Sequence, residues 1–160
     1  MKASLVRLLA CVVVPFLAAC GPEPSGPVAA GPVTYTCCAA SEVDRLYRPG
    51  QTVTLHWSVE APDEPGPATP PRVELTALLT GPFATVDELK IATTDTRTVP
   101  GLVTFAAAPV RPSGAPGERP VSTIAIGSDA RPGYYHLATS VIGDGGTAGG
   151  ASVVRLVPGT

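Results

Sequence analysis

The chain has 160 residues, and its 11 Lys and Arg against 13 Asp and Glu give a net charge of −2 at pH 7. Nucleic-acid binding needs clustered basic residues that replace phosphate counterions, but the lysines here are Lys2 and Lys90, with scattered arginines. We therefore expect no nucleic-acid partner. The 19 prolines and 17 glycines favour short strands joined by turns, so the composition predicts an all-β protein.

The first residues have the three parts of a secretion signal. A basic end with Lys2 and Arg7 precedes an apolar run over residues 8–17, and small residues follow. This run is too short to span a bilayer as a helix, which needs about 20 apolar residues. The sequence Leu17-Ala18-Ala19-Cys20-Gly21 resembles the lipobox of bacterial lipoproteins. The alternative is an ordinary secreted protein whose signal contains cysteines.

The lipobox resemblance implies that residues 1–19 are a signal peptide and that the Cys20 thiol carries a diacylglyceryl group after cleavage. Two acyl chains anchor a protein without a transmembrane helix, because each buried methylene contributes about 0.8 kcal/mol. We expect lipid anchoring at the cell membrane or envelope, on its extracytoplasmic face, with the covalent lipid and no other cofactor. Cleavage removes Lys2 and Arg7, which leaves 9 basic against 13 acidic residues and a net charge of −4.

Residues 20–32 are rich in proline and glycine and have no apolar periodicity. They predict a disordered tether, and a polyproline-like chain of this kind rises about 3.1 Å per residue away from the lipid surface. The expected organisation is therefore a signal peptide over residues 1–19, a tether over 20–32 and one domain over 33–160.

Cysteine chemistry in the mature chain is confined to two adjacent residues. Cys11 leaves with the signal and the sulfur of Cys20 is lipidated, so Cys37 and Cys38 remain. They form a vicinal disulfide, which an oxidising exterior favours, bond to another molecule, or stay free. Neighbours in a strand point to opposite faces, so the vicinal bridge requires a distorted backbone. No neighbouring cation or helix N-terminus lowers their pKa, and no reactive thiolate is expected.

Alternation of apolar and polar residues predicts strands along the domain. The clearest strand covers residues 51–59, where Val53, Leu55, Trp57 and Val59 share one face, and Trp57 is expected in the core. The other predicted strands are 34–38 and 43–47 as a broken edge strand, then 72–79, 96–99, 102–105, 121–126, 134–142 and 151–157.

Proline, glycine and capping residues mark the predicted connections. Thr85 and Glu88 have capping-box spacing and predict a short helical turn through Lys90. The predicted breaks in the strands are proline-rich loops at 61–71 and 109–120, Gly81-Pro82 after the strand over 72–79, and a glycine-rich loop at 143–150.

Two segments resemble immunoglobulin-like domains. Residues 49–57 (Pro-Gly-Gln-Thr-Val-Thr-Leu-His-Trp) are similar to the second strand of bacterial members, and residues 129–137 (Asp-Ala-Arg-Pro-Gly-Tyr-Tyr-His-Leu) to the approach to the sixth. The resemblance spans residues 41–157 and implies an antiparallel β-sandwich of about seven strands. In this family a tyrosine at the corner before the sixth strand hydrogen-bonds back across the turn, a role that falls on Tyr134 or Tyr135.

The chain also departs from antibody domains. It lacks their inter-sheet cysteine pair, and its tryptophan lies on the second predicted strand rather than the third. The resemblance therefore implies a fold and carries no function with it.

Motifs that carry chemistry are missing from the sequence. Residues 143–148 have the glycines of a dinucleotide-binding loop, but that motif requires a following helix, and a strand is predicted, so we expect a hairpin turn. A hydrolytic triad or a zinc site requires histidines that meet further groups. His56 and His136 are out of phase with the apolar faces of their strands. We expect both to be exposed, on different sheets, and expect no catalytic residue and no metal.

These observations favour a non-enzymatic, lipid-anchored module that presents loops or a sheet edge to a protein or cell-envelope partner. The alternative is an envelope protease inhibitor of β-sandwich type that inserts a loop into an active site. A metal or redox carrier that uses Cys37 and Cys38 is a third hypothesis.

Overall fold

The structure, a computed structural model, describes residues 33–60, 72–95, 99–115 and 117–159. Within these ranges the chain forms eight strands and two short helices, so the protein is all-β as predicted. In chain order the elements are β1 (Thr34–Cys37), α1 (Ala40–Val43), β2 (Leu46–Tyr47), β3 (Thr52–Glu60), β4 (Val73–Phe83), α2 (Val86–Thr94), β5 (Val103–Ala106), β6 (Val121–Ala125), β7 (Gly133–Gly143) and β8 (Gly146–Leu156).

The strands form two sheets. One has three strands in the order β1-β3-β6, and the other has five strands in the order β2-β8-β7-β4-β5. Neighbouring strands are antiparallel, except that β2 runs parallel to β8 where Leu46 lies opposite Arg155 and Tyr47 opposite Leu156. The predicted broken edge strand is therefore shared between the sheets, with β1 in one and β2 in the other. Its second part starts later than predicted, because α1 takes up Val43.

Both sheets contribute side chains to two core clusters, a larger one and a smaller one made of Tyr35, Trp57 and Leu75. On β3, Val53 and Leu55 are completely buried, and they belong to the same cluster as Tyr135 and Leu137 of β7. A buried side chain of this size stabilises the fold by about 1.5–3 kcal/mol. Trp57 is 3% exposed and lies in the core, as its phase on β3 predicts.

Strand β4 continues beyond its predicted end. The prediction that Gly81 and Pro82 terminate it is wrong, because its pairing with β7 shifts register between Thr80 and Phe83. Proline is tolerated at such an irregularity, where the ladder does not need its missing N–H. Glycine is required beside it, since a Cβ on Gly81 would lie 2.6 Å from the Tyr135 ring.

The predicted glycine-rich loop over residues 143–150 is mostly strand. Gly143 of β7 pairs with Gly146 of β8, so the connection is the two residues Asp144 and Gly145. Asp-Gly between two strands is the chemistry of a tight hairpin. The hairpin turn expected in place of a dinucleotide loop is therefore confirmed, and the longer loop is wrong.

Helix α2 begins where the capping pattern predicts and runs on to Thr94. The Thr85 hydroxyl accepts a hydrogen bond from the Glu88 amide at 3.1 Å, and the Glu88 carboxylate accepts one from the Ala84 amide at 2.7 Å. These contacts satisfy amides that the first helical turn leaves without partners.

The remaining strand predictions agree with the structure to within a residue or two at their ends. They are 34–38 (β1), 51–59 (β3), 102–105 (β5), 121–126 (β6) and 134–142 (β7). Of the predicted strand over 96–99, only Val99 lies within the described residues, and it is not in a strand. The predicted signal peptide, the predicted tether and the predicted loop over 61–71 lie outside the described residues. The described part of residues 109–120 is a loop, as predicted. The exception is an isolated antiparallel β-bridge between Val110 and Leu75.

Candidate functional site

A cavity of about 230 Å³ lies where β1 and β3 of one sheet approach β7 and β8 of the other. We call this cavity and its opening the lateral mouth. The lining residues are Tyr35, Thr36, Cys37, Trp57, Thr139, Val141, Ala148, Gly149 and Gly150.

Two polar side chains that line the lateral mouth, Trp57 and Thr139, have hydrogen-bond partners within the protein. The Trp57 indole Nε1 donates to Ser122 Oγ at 3.0 Å across to β6. The Thr139 hydroxyl donates to the Gly150 carbonyl at 3.4 Å. Burial raises the pKa of Tyr35, and the nearby Glu118 carboxylate raises it further, so this phenol stays neutral at physiological pH. The floor therefore suits a small apolar side chain better than an ion.

Cys37 and Cys38 lie at the inner end of β1, where they are joined by a disulfide bond. Cys37 is half-buried, lies opposite Trp57 in the ladder and packs against both core clusters. Cys38 packs on the larger cluster. The bond lies at the point where the chain leaves the first sheet for α1 and β2. Of the pair that the sequence singled out, Cys37 therefore lies in the wall of the lateral mouth.

Strand β8 has a long unpaired edge at the lateral mouth. Its other neighbour, β2, covers only Arg155 and Leu156, so the side over residues 146–154 has no partner strand among the described residues. We call this side the β8 edge. From Gly146 to Ala151 every residue is exposed. Such a row of unpaired N–H and C=O groups is a template for another strand.

His56 and His136 lie on different sheets, as predicted. His56 on β3 is exposed, and its Nδ1 contacts a carboxylate oxygen of Glu42 on α1. The same carboxylate accepts hydrogen bonds from the His56 amide at 3.3 Å and the Ala39 amide at 3.1 Å. Burial alone would raise the pKa of Glu42, but these hydrogen bonds outweigh it and lower the pKa below its usual value. His56 therefore secures α1 to β3.

His136 corrects one prediction, because it is half-buried rather than exposed. It lies between Thr80 of β4 and Val153 of β8 in the ladder, and α2 lies against β7. Burial lowers the pKa of His136. Among the described residues no group of three or more His, Cys, Asp or Glu side chains is placed to hold a metal ion, and no helix there is long and apolar enough to cross a membrane.

The corner before β7 places its two tyrosines on opposite faces. The Tyr135 side chain is completely buried, and its hydroxyl donates to the Arg131 carbonyl at 2.8 Å. Tyr134 points to the outer face, where the Arg155 guanidinium lies 5.6 Å from the centre of its ring. Of the two tyrosines proposed for the corner bond, Tyr135 therefore makes it.

The loop before β6 is held by one carboxylate. Glu118 accepts hydrogen bonds from the Ser113 amide and hydroxyl and from the Gly114 amide, at 2.9–3.1 Å. The hydrogen bonds from Ser113 and Gly114 lower the pKa of Glu118. Arg111 donates to Glu74 of β4 at 2.7 and 3.0 Å. The sequence identified this segment as a loop, but its internal bonds were not predicted. Cys20, the predicted lipid attachment residue, lies outside the described residues.

Comparison with known proteins adds little to this geometry. No protein-family model matches the chain, and no curated protein matches it. Among solved structures, Spo0M, a sporulation control protein from Bacillus subtilis, matches with a TM-score of 0.38 and 13% sequence identity. The match covers 81% of this chain and 50% of the Spo0M chain, so this chain spans about half of that protein. We draw neither fold nor function from a likeness at this level.

Proposed function

We propose that the protein is a non-enzymatic, lipid-anchored module of the cell envelope that docks an extended strand of a protein or envelope partner on the β8 edge. The observation that carries the proposal is the unpaired β8 edge beside the cavity of the lateral mouth. Added strands bind through backbone hydrogen bonds, and pockets beside the edge select alternate side chains. Here the cavity would take one small apolar side chain.

We further propose that the two sheets form an immunoglobulin-like sandwich. The second and sixth strands of that fold lie in opposite sheets, and the two segments that resemble them contribute to β3 and β7, which also lie in different sheets. The bond from Tyr135 to the Arg131 carbonyl supports this proposal, because it resembles the corner bond of that family. The parallel pairing of β2 with the last strand joins the start of the domain to its end.

The anchor is proposed from the sequence of residues 1–21. A Cys20→Ser variant should lose palmitate label and leave the membrane fraction, because the thiol that carries the lipid is gone. Cys11→Ser is the matched control, since it removes a cysteine from the same segment and should keep both. Label that persists in the Cys20→Ser variant would exclude a lipoprotein.

Docking at the β8 edge is testable by photo-crosslinking in intact cells. A benzoylphenylalanine at Ala151, which is exposed on β8, should give discrete adducts. The same group at Ala106 on β5, the edge strand at the opposite side of that sheet, is the control. Adducts of the same pattern and yield at both positions, or none at Ala151, would contradict the proposal.

A thiol carrier is less well supported than a binding module, because the two sulfurs are bonded to each other and packed on the core. The intact mass of the protein should rise by the mass of two hydrogen atoms on reduction, and no disulfide-linked dimer should be present before it. An unchanged mass together with bound metal in anaerobically purified protein would instead favour the carrier.

A protease inhibitor is the second candidate, and the loop held by Glu118 favours it. A loop fixed before binding loses less conformational entropy in a complex. Stoichiometric inhibition of a protease from a panel, lost in a Glu118→Ala variant, would support this function over strand docking.

A further inference from the structure

The β8 edge differs in length from the other sheet edges of the described chain. The outer strands β1, β5 and β6 have 4, 4 and 5 residues, whereas β8 has 11 residues and β2 covers two of them. Short edge strands, charges and prolines are the usual protection against pairing with another chain. Residues 146–151 (Gly-Thr-Ala-Gly-Gly-Ala) have neither a charge nor a proline.

Resting on the proposed function, we infer that the strand that docks on the β8 edge is β8 of a second copy of this chain, antiparallel across a two-fold axis. In such an isologous contact the same groups meet from both sides, so one edge supplies both partners. The two five-stranded sheets would then form one continuous sheet.

The direction of the backbone groups follows from two contacts. Gly143 and Gly146 flank a two-residue turn, so they exchange hydrogen bonds, and every second residue of β8 does the same with β7. The residues that alternate with these on β8 direct their backbone N–H and C=O groups away from β7. The Val157 amide shows this direction, because it donates to the Tyr47 carbonyl of β2 at 2.9 Å. Thr147, Gly149 and Ala151 therefore offer their amides and carbonyls to the β8 edge.

Charge complementarity selects the antiparallel arrangement and a second copy. Asp144 lies in the turn at one end of the β8 edge, and Arg155 lies at the other end, where β2 joins. With the two-fold axis at Gly149, the outward-facing residues 147, 149 and 151 of one copy lie opposite 151, 149 and 147 of the second copy, as antiparallel pairing requires. Asp144 of one copy then lies opposite the residue next to Arg155 of the second copy, and this happens twice. A parallel arrangement would bring like charges together, which opposes pairing.

The pair should be weak in solution and stronger on a membrane. Its contact is a strand edge rather than a broad face, and small interfaces belong to transient complexes. Lipid anchors would hold copies on one surface and raise their effective concentration.

The test is the oligomeric state of protein produced from the full gene and purified in detergent, measured by sedimentation equilibrium. The wild-type protein should form a dimer. Ala151→Pro, which removes an amide that faces the β8 edge, should be monomeric with an unchanged circular dichroism spectrum. Ala106→Pro is the matched control on β5: its neighbour Ala107 donates to β4, so the Ala106 amide faces away from the sheet. This variant should still dimerise.

Charge reversal tests the arrangement itself. Asp144→Arg should weaken the dimer by about three- to five-fold, because two arginines then meet at each end. Adding Arg155→Asp should restore the affinity. A monomeric wild-type protein, or a double variant as weak as the single one, would overturn the inference.

The failures of the two proposals are distinguishable. If the protein is monomeric but the photo-crosslinker at Ala151 still gives adducts of a different protein, the docking edge stands and the second copy falls. If it is monomeric and gives no adducts, both fall.

Discussion

Strand β3 and the first half of β8 are both regular strands, but they relate to the core in opposite ways. Along β3, Val53, Leu55 and Trp57 are buried and their neighbours are exposed. From Gly146 to Ala151, every residue of β8 is exposed. The first strand is held by burial, the second by its ladder with β7 and the tight turn before it. A strand without a buried face is therefore free to offer its edge to another strand.

The largest expected change in unfolding free energy distinguishes a residue of β3 from a residue of β8. Leu55→Ala should lower the free energy of unfolding by about 3 kcal/mol, because it leaves a cavity in a completely buried site. Ala151→Ser on β8 should change it by less than about 0.5 kcal/mol. Urea unfolding measures both, and equal losses would mean that β8 is packed where the structure leaves it exposed.

The next largest loss of stability is expected from breaking the hydrogen bond between Trp57 and Ser122. Ser122→Ala should cost about 2 kcal/mol, because Ser122 is completely buried and the Trp57 indole N–H loses its acceptor. Adding Trp57→Phe removes the orphaned donor, so the double variant should lose less than the sum of the two single losses. Additive losses in urea unfolding would show that the bond is not formed.

The corner before β7 predicts a loss of about 1 kcal/mol. Tyr135→Phe keeps the buried ring but removes the hydroxyl that donates to the Arg131 carbonyl. The matched control is Tyr134→Phe on the outer face, where the ring still faces Arg155. If thermal unfolding shows the same small change for both, Tyr135 does not make the corner bond.

The smallest expected change is in the contribution of Glu42 to stability, and it depends on pH. Because hydrogen bonds hold the pKa of Glu42 below its usual value despite the opposing effect of burial, its contribution to stability is present above the unfolded pKa. It is lost as pH falls through the lowered folded pKa. The difference in unfolding free energy between wild type and Glu42→Gln should therefore shrink on acidification. A constant difference from neutral to acidic pH would contradict this.

Sequence patterns predicted the strands that bury a face. Alternation along residues 51–59 identified β3 and placed Trp57 in the core, because burial imposes the period of two on the residues themselves. The same rule missed the start of β8, since glycines and alanines without a buried face leave no such pattern. Asp144-Gly145 was the available signal, as a two-residue hairpin turn. Pro82 led to the opposite error, a strand predicted to end too early. Its presence within β4 depends on the register shift with β7, which the sequence does not show.

The site was less predictable than the fold. The sequence singled out Cys37 and Cys38 and named a sheet edge among the docking surfaces. It did not predict that Cys37 and Gly149 line one cavity, because that depends on how β1 and β8, which belong to different sheets, lie relative to each other. The contact between Glu42 and His56 likewise joins residues of different elements and follows from the fold alone.

Amide hydrogen exchange along β8 measures whether the β8 edge is free to pair with another strand. In dilute protein, the amides of Thr147, Gly149 and Ala151 should exchange fast, whereas those of Ala148 and Gly150, which pair with β7, should be protected. The fast set should become protected as the concentration rises. Equal protection of both sets at every concentration would show that the β8 edge is already covered, and no strand could then dock there.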